Sequence, residues 1–348
     1  MLAKKIPFNI IYNNKIRIIM VCSNWDEEFN SFSEKLKKTD YILIVDWAWH
    51  HDYVYYRPKK ILSNCKYPEN IIFLSNFIKV HNERKENGFN SILCSNNTFI
   101  NTDIFNIDPN AVKKYKMVIN SRATKWKNIS FANDIDNIAL IVNKNPTGWH
   151  GEDDISYLEM KYTYLNKNRL QPKEVAQIIN QSQVGGIFSF IEGACFSNSE
   201  YLLCGIPVVS TFSFGGRDIY YDDYNSVIVG EPIKTINIDK YSYRPESIKN
   251  PDTKNIKNAC EKLISEKKDP YIIRNNHLKI INSHEENLIN KIQAIFNENN
   301  INENAKNWFY KNKQESFKDE KGPHNCRFSH FMKLECFQKS LEDINGLF

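Results

Sequence analysis

Two carboxylates stand eight residues apart in FSFIEGACFSNSEYLLCGIPVVST (188–211): Glu192 closes an apolar run, and Glu200 opens a segment that reads as a short helix. Between them, Gly193, Ala194, Cys195 and Phe196 begin a small-residue loop whose backbone N–H groups can approach a ligand closely. Upstream, NSRATKWKN carries Arg122 and Lys127 five apart. A guanidinium grips a diphosphate bidentately and an ammonium adds a point charge. A carboxylate does the complementary work, accepting hydrogen bonds from sugar hydroxyls, and one carboxylate can take both hydroxyls of a ribose. Gly215-Gly216 adds a second close-approach turn. Taken singly these features are weak, since paired glutamates recur by chance and an Arg-x4-Lys pair usually marks a solvated face. Their order, each just past an apolar run, is what describes a nucleotide-sugar site.

Something must carry all of these residues to one rim. The first third of the chain alternates strand-like runs at 15–23, 41–47, 70–75 and 91–95 with helical spacing at 26–38 and a helix that stops at Gly88. A polar stretch at 106–116 reads as a linker. The alternation then restarts with strands at 117–121 and 138–142, a helical segment near 129–137, a helix at 172–182, and strands at 184–190 and 207–211. From 253 onward the pattern is helical. Such alternation predicts α/β architecture with parallel sheets wrapped by helices. In doubly wound sheets ligands bind beyond the carboxyl ends of the strands, where each candidate residue falls. The expected organisation is a short N-terminal Rossmann-like domain (1–112), a C-terminal nucleotide-binding domain (113–300) and a helical tail (301–348) packing back on the body, with a cleft between the two lobes.

The bulk numbers agree with a globular chain of 348 residues, 41% hydrophobic and 25% charged, with a formal net charge of +5. That balance permits anionic ligands and a weak, peripheral meeting with an acidic membrane face, and it does not call for nucleic acid. Eight scattered cysteines, several inside apolar runs, fit reduced thiols in a cytoplasmic protein. No run approaches the length of a membrane span, and the N-terminus does not read as a signal peptide.

EGACFSNSEYLLCGIPVV resembles the Glu-x7-Glu segment of the large GT-B family of retaining glycosyltransferases, with Glu192, Gly193, Glu200, Gly205 and Pro207 at matching spacing. SRATKWK is similar to the family's Gly-Arg-x4-Lys segment, FGGRDIYYDDYNSVIV to its later Gly-Gly turn and strand, and ILCSNNTFINTDIF to its exit from the first domain. The resemblance covers roughly residues 90–230. It implies two Rossmann-like domains whose parallel sheets face a central cleft. It further implies a hexosyl transfer from a nucleotide-diphosphate donor, UDP- or GDP-linked, to a glycan or lipid-linked acceptor. Arg122 and Lys127 would hold the diphosphate, Glu192 the donor sugar and Glu200 the ribose, with Gly193–Phe196, Gly215 and Gly216 supplying close backbone. Family members retain the anomeric configuration through positioning and charge stabilisation of the leaving diphosphate, with no dedicated protein base; no metal and no cofactor beyond the donor are expected.

This chain departs from the family pattern at Ser121 and Ser226, which replace glycines, and at Asp218, near a position often held by Glu. It also lacks the Gly-rich loop common near the family's N-terminus. The aromatic cluster DWAWHHDYVYYRP brings Asp46, His50, His51 and Asp52 together; the family often has a His here facing the donor sugar, a place that His50 or His51 can take, with His50 as the candidate. His324, Cys326, His330 and Cys336 are metal-ligand types without a standard zinc spacing, so a tail helix is the expectation there. TGWHGEDD (147–154) reads as a surface loop. Two further readings use the same grip on a diphosphate: an epimerase or phosphorylase, and a non-catalytic nucleotide-sugar-binding protein.

Overall fold

A computed structural model describes residues 8–22, 29, 32–45, 52–142, 155, 158, 160–230 and 251–317. Expectations for Asp46, His50, His51, the 147–154 loop and the residues from 318 onward lie outside them, as do 26–28, 30 and 31 of the expected 26–38 helix, whose last residues, 34–38, form turns and irregular chain instead of helix. The chain divides into two compact units, Met1–Asn101 with Ile281–Phe348, and Thr102–Ile280.

The first unit is built on a five-stranded sheet: β1 (Phe8–Asn13), β2 (Arg17–Cys22), β3 (Asp40–Val45), β4 (Ile71–Ser75) and β5 (Ser91–Leu93), in that order. β2 to β5 are parallel, while β1 pairs antiparallel with β2. Helices α1 (Asp52–Ser63) and α2 (Ile78–Glu86) fall between the later strands. Because side chains alternate across a strand, an unbroken apolar run fills two cores at once. Ile18, Met20, Leu43, Val45, Ile72 and Leu74 face one cluster, and Ile19, Val21, Ile42, Ile44, Ile71 and Phe73 face the other. Gly88, with φ +77°, ends α2, its N–H donating to Lys85 O.

The second unit carries a six-stranded, all-parallel sheet. Its strands are β6 (Tyr115–Ser121), β7 (Ile138–Val142), β8 (Tyr164–Leu165), β9 (Ser182–Ile187), β11 (Val208–Thr211) and β13 (Ser226–Val229). A separate two-stranded bridge joins β10 (Ile191–Glu192) to β12 (Phe214–Gly215). The order β13-β11-β9-β6-β7-β8 places β6, β9 and β11 side by side at the centre. Helices α3 (Pro172–Asn180), α4 (Phe196–Leu203) and α5 (Thr253–Glu266) complete the unit, and the division between units falls within α6 (Pro270–Glu298). The last described helix, α7 (Ala305–Phe317), joins the first unit's core: Ala305, Trp308 and Phe309 are buried with Tyr12 and Phe296, and Tyr12 lies 4.8 Å from the Phe296 ring.

Several expectations need correction. The helix after Glu192 starts at Phe196, so Glu200 lies inside α4 instead of opening it. Cys195 holds the left-handed conformation (φ 44°) that turns the chain into the helix, a conformation sequence spacing does not reveal for a non-glycine residue. The segment near 129–137 forms only a short 3-10 turn, Ile129–Ala132, where Asn128 in the left-handed region breaks regularity. The strand Phe8–Asn13 and the helix Asp52–Ser63 were not legible as such: the first has interrupted apolar residues, and the second carries Pro58 inside it. The compact units part at Asn101–Thr102 and again at Ile280–Ile281. Among the described residues, Cys65, Cys94, Cys195, Cys204 and Cys260 are free thiols, and no helix is long and apolar enough to cross a membrane.

Candidate functional site

The candidate residues of the second unit lie where β6, β9 and β11 end. Arg122 follows β6 directly and is exposed; Lys127 closes a 3-10 turn, Lys125–Lys127, just beyond. Asn128, left-handed at φ 51°, donates from Nδ2 to Phe188 O (3.0 Å), stitching this loop to the one that follows β9. That stitch brings Lys127 onto Glu192. The Lys127 ammonium donates to Glu192 Oε1, and both side chains are nearly buried. Ser189 Oγ donates to the same oxygen at 2.5 Å. Among the described residues Oε2 accepts no hydrogen bond, so half of this carboxylate is left for a ligand hydroxyl.

Burial by itself would raise the Glu192 carboxyl. The charge and hydrogen bond of Lys127, the Ser189 hydroxyl and the charge of Arg217 together outweigh it and hold the group below the ordinary carboxylate range. Glu192 is therefore ionised at neutral pH although buried. Its backbone is fixed as tightly. Gly216 N donates to Glu192 O at 3.2 Å, and a Cβ on Gly215 would stand 1.7 Å from that oxygen, so only glycine fits there, at φ +143°.

Glu200 is seated by a second set of contacts, centred on Asn120 at the end of β6. Asn120 Nδ2 donates to Glu200 Oε2 (2.6 Å), its backbone N–H to Tyr201 Oη (2.6 Å), and its carbonyl accepts from Ser197 Oγ (2.7 Å). Three groups of one residue thus fix α4 against the sheet. The Tyr201 ring reaches this position by lying over β9 at Gly185, where a Cβ would come within 2.3 Å of ring carbon Cδ2.

Between the two carboxylates, Gly193 is buried while Ala194, Cys195 and Phe196 are half-buried, and the chain turns there into the N-terminus of α4. Burial, then the neighbouring Glu192 charge, pushes the Cys195 thiol up to about 12, so it stays protonated and non-nucleophilic at neutral pH. No cluster of His, Cys, Asp or Glu able to hold a metal ion occurs among the described residues.

The structure therefore brings Lys127, Glu192, the 193–196 loop, Gly215 and Gly216 into one network and sets Glu200 beside the end of β6. It also adds residues that sequence reasoning passed over: Asn120, Ser189, Tyr201 and Arg217. Three left a signal: Asn120 and Ser189 are polar residues at the ends of apolar runs, and Arg217 follows the Gly-Gly turn directly.

No protein-family model matches the sequence, and no curated protein matches it. Solved structures do share the architecture. The crystal structure of TarM aligns over 80% of this chain at 17% identity with a TM-score of 0.52. This chain spans only about half of TarM, 54% of its length. Anabaena HepE, solved in complex with UDP, aligns over 79% of this chain and 78% of its own at 12% identity, with a TM-score of 0.50. With two α/β units on parallel sheets, the chain has the fold of GT-B glycosyltransferases.

Proposed function

We propose that this chain is a glycosyltransferase that moves a hexosyl group from a nucleotide-diphosphate donor to a glycan or lipid-linked acceptor, with retention at the anomeric carbon. The observation that carries the reading is the Lys127–Glu192 pair at the ends of adjacent parallel strands, with one carboxylate oxygen open. A cation and an anion at one rim suit a ligand with a diphosphate at one end and hydroxyls at the other. Lys127 and the exposed Arg122 bind the diphosphate, and Glu192 Oε2 accepts from a hydroxyl of the donor sugar. Glu200 accepts from the ribose, and amides of Gly193–Phe196 approach sugar or phosphate. The residues need only position the donor and stabilise charge on the departing diphosphate, through contacts that strengthen as the glycosidic bond breaks. That the HepE crystal structure contains UDP favours a uridine donor.

The test is a thermal-shift screen against UDP-, GDP- and ADP-sugars, since a ligand at 100 times its Kd stabilises a protein by about 2.7 kcal/mol. It is followed by donor hydrolysis of the stabilising compound. Binding with slow release of the nucleoside diphosphate supports the transferase. Binding without release turns the reading into a non-catalytic receptor, and no stabilisation by any donor removes it.

A further inference from the structure

Arg217 is fully buried, and its positive charge is only loosely met by Asp218, whose Oδ1 stands 3.3 Å from Nε. Its other donors go to the ends of two central strands. Nη2 donates to Thr211 O at 2.5 Å, and Nη1 donates to Ser189 O at 3.0 Å and to Ser189 Oγ at 3.2 Å. The last contact has a consequence fixed by chemistry. A guanidinium can only donate, so Ser189 Oγ must accept from it, and the hydroxyl's own hydrogen is left for its other partner. That partner is Glu192 Oε1, 2.5 Å away.

We propose that Arg217 is a positioning residue: by donating to Ser189 Oγ it commits the serine proton to Glu192 Oε1, leaving Oε2 to accept from a hydroxyl of the donor sugar. The role in sugar recognition rests on the donor-site reading of Glu192; the relay itself does not. The chain of contacts runs Asp218, Arg217, Ser189, Glu192, Lys127. The groups acting on Glu192 are Lys127 from the loop after β6, Ser189 from the loop after β9 and Arg217 from the turn after β12; Cys195, which the Glu192 charge helps to hold protonated, lies in the loop before α4. Removing Arg217 takes away the donor that fixes the direction of the Ser189 hydroxyl.

The experiment follows the Glu192 carboxyl by NMR in protein labelled with carboxyl-13C glutamate, assigned with Glu192→Gln. Ser189→Ala and Arg217→Met should each raise its titration midpoint by roughly half a unit to one unit, and Arg217→Lys, which keeps a donor, should recover part of the shift. Where Arg217→Met does not fold, Ser189→Ala carries the test. A second readout compares UDP with UDP-glucose, UDP-N-acetylglucosamine and GDP-mannose in binding titrations. The variants should lose about tenfold in affinity for the sugar nucleotide that the wild type binds, with affinity for the bare diphosphate unchanged. An unmoved Glu192 midpoint in both variants, or equal losses for diphosphate and sugar nucleotide, would overturn the proposal. Should the wild type bind none of these probes, the donor-site reading fails, and the carboxyl titration alone still decides whether Arg217 governs Glu192.

Discussion

Each unit of the molecule holds a nearly buried ion pair, and the two are built to opposite designs. In the first unit Arg17 and Asp40 sit at the starts of adjacent strands. Arg17 grips both carboxylate oxygens, with Nε–Oδ1 at 2.7 Å, and Asp40 Oδ2 also accepts from Lys37 N. In the second unit Lys127 and Glu192 lie past the ends of adjacent strands. All contacts converge on Oε1 there, and Oε2 takes none among the described residues. A saturated bidentate pair at the amino edge of a sheet closes structure. A one-sided pair at the carboxyl edge leaves chemistry over, at the place where parallel sheets bind ligands.

That contrast can be broken most directly at Arg17. Arg17→Met strands a buried carboxylate and should cost about 3–5 kcal/mol of stability in urea unfolding; a loss below ~1 kcal/mol would mean that the closed pair is not structural.

Acid should separate the units next. His284, in the first unit, is buried, and burial lowers its pKa from 6.5 to about 4; its Nδ1 accepts from Ser95 N at 3.3 Å. The unfolded chain takes up this proton near 6.5 and the folded one only near 4, so stability falls as pH drops through that window, by about 3 kcal/mol at most. The Glu192 carboxyl is also held below its ordinary value, so its effect has the same sign but begins at lower pH. Its contribution is complete above the ordinary carboxylate pKa and is lost only as pH falls through its lower folded value. Hydrogen exchange followed from pH 7 to 4.5 should therefore show the first unit loosening before the second, and His284→Asn should remove most of the difference. Simultaneous loosening would contradict the assignment.

A smaller effect is expected at Gly185, where an added methyl meets the Tyr201 ring. Gly185→Ala should cost about 1–3 kcal/mol and weaken nucleotide binding through Asn120 and Glu200, whereas Gly88→Ala, whose Cβ meets nothing within 4 Å, should change stability only through its backbone and leave binding intact. The smallest stability change belongs to the open pair. In Lys127→Met, Glu192 keeps its Ser189 contact, so we expect a loss of about 1–2 kcal/mol together with a roughly tenfold or greater loss of donor affinity. Unchanged donor affinity in this variant would remove Lys127 from the site.

Much of the fold was readable because parallel strands buried on both faces leave continuous apolar runs, as at 18–21, 42–45, 71–74, 117–119 and 138–142. Phe8–Asn13 left no such run, since an antiparallel edge strand is held by one neighbour only. Glu192, Glu200, Arg122 and Lys127 were visible as types and spacings. Their partners were not.

The sequence by itself determined the α/β alternation, the ionisable residues at the strand ends and the glycines that backbone crowding requires, because these follow from side-chain volume, polarity and local conformation. Tertiary structure alone decided that Lys127 meets Glu192 across 65 residues, that Asn120 seats Glu200 and that Arg217 reaches Ser189. Those pairings depend on which strands lie side by side, and strand order is settled by packing of the whole sheet, a property no local stretch of chain contains.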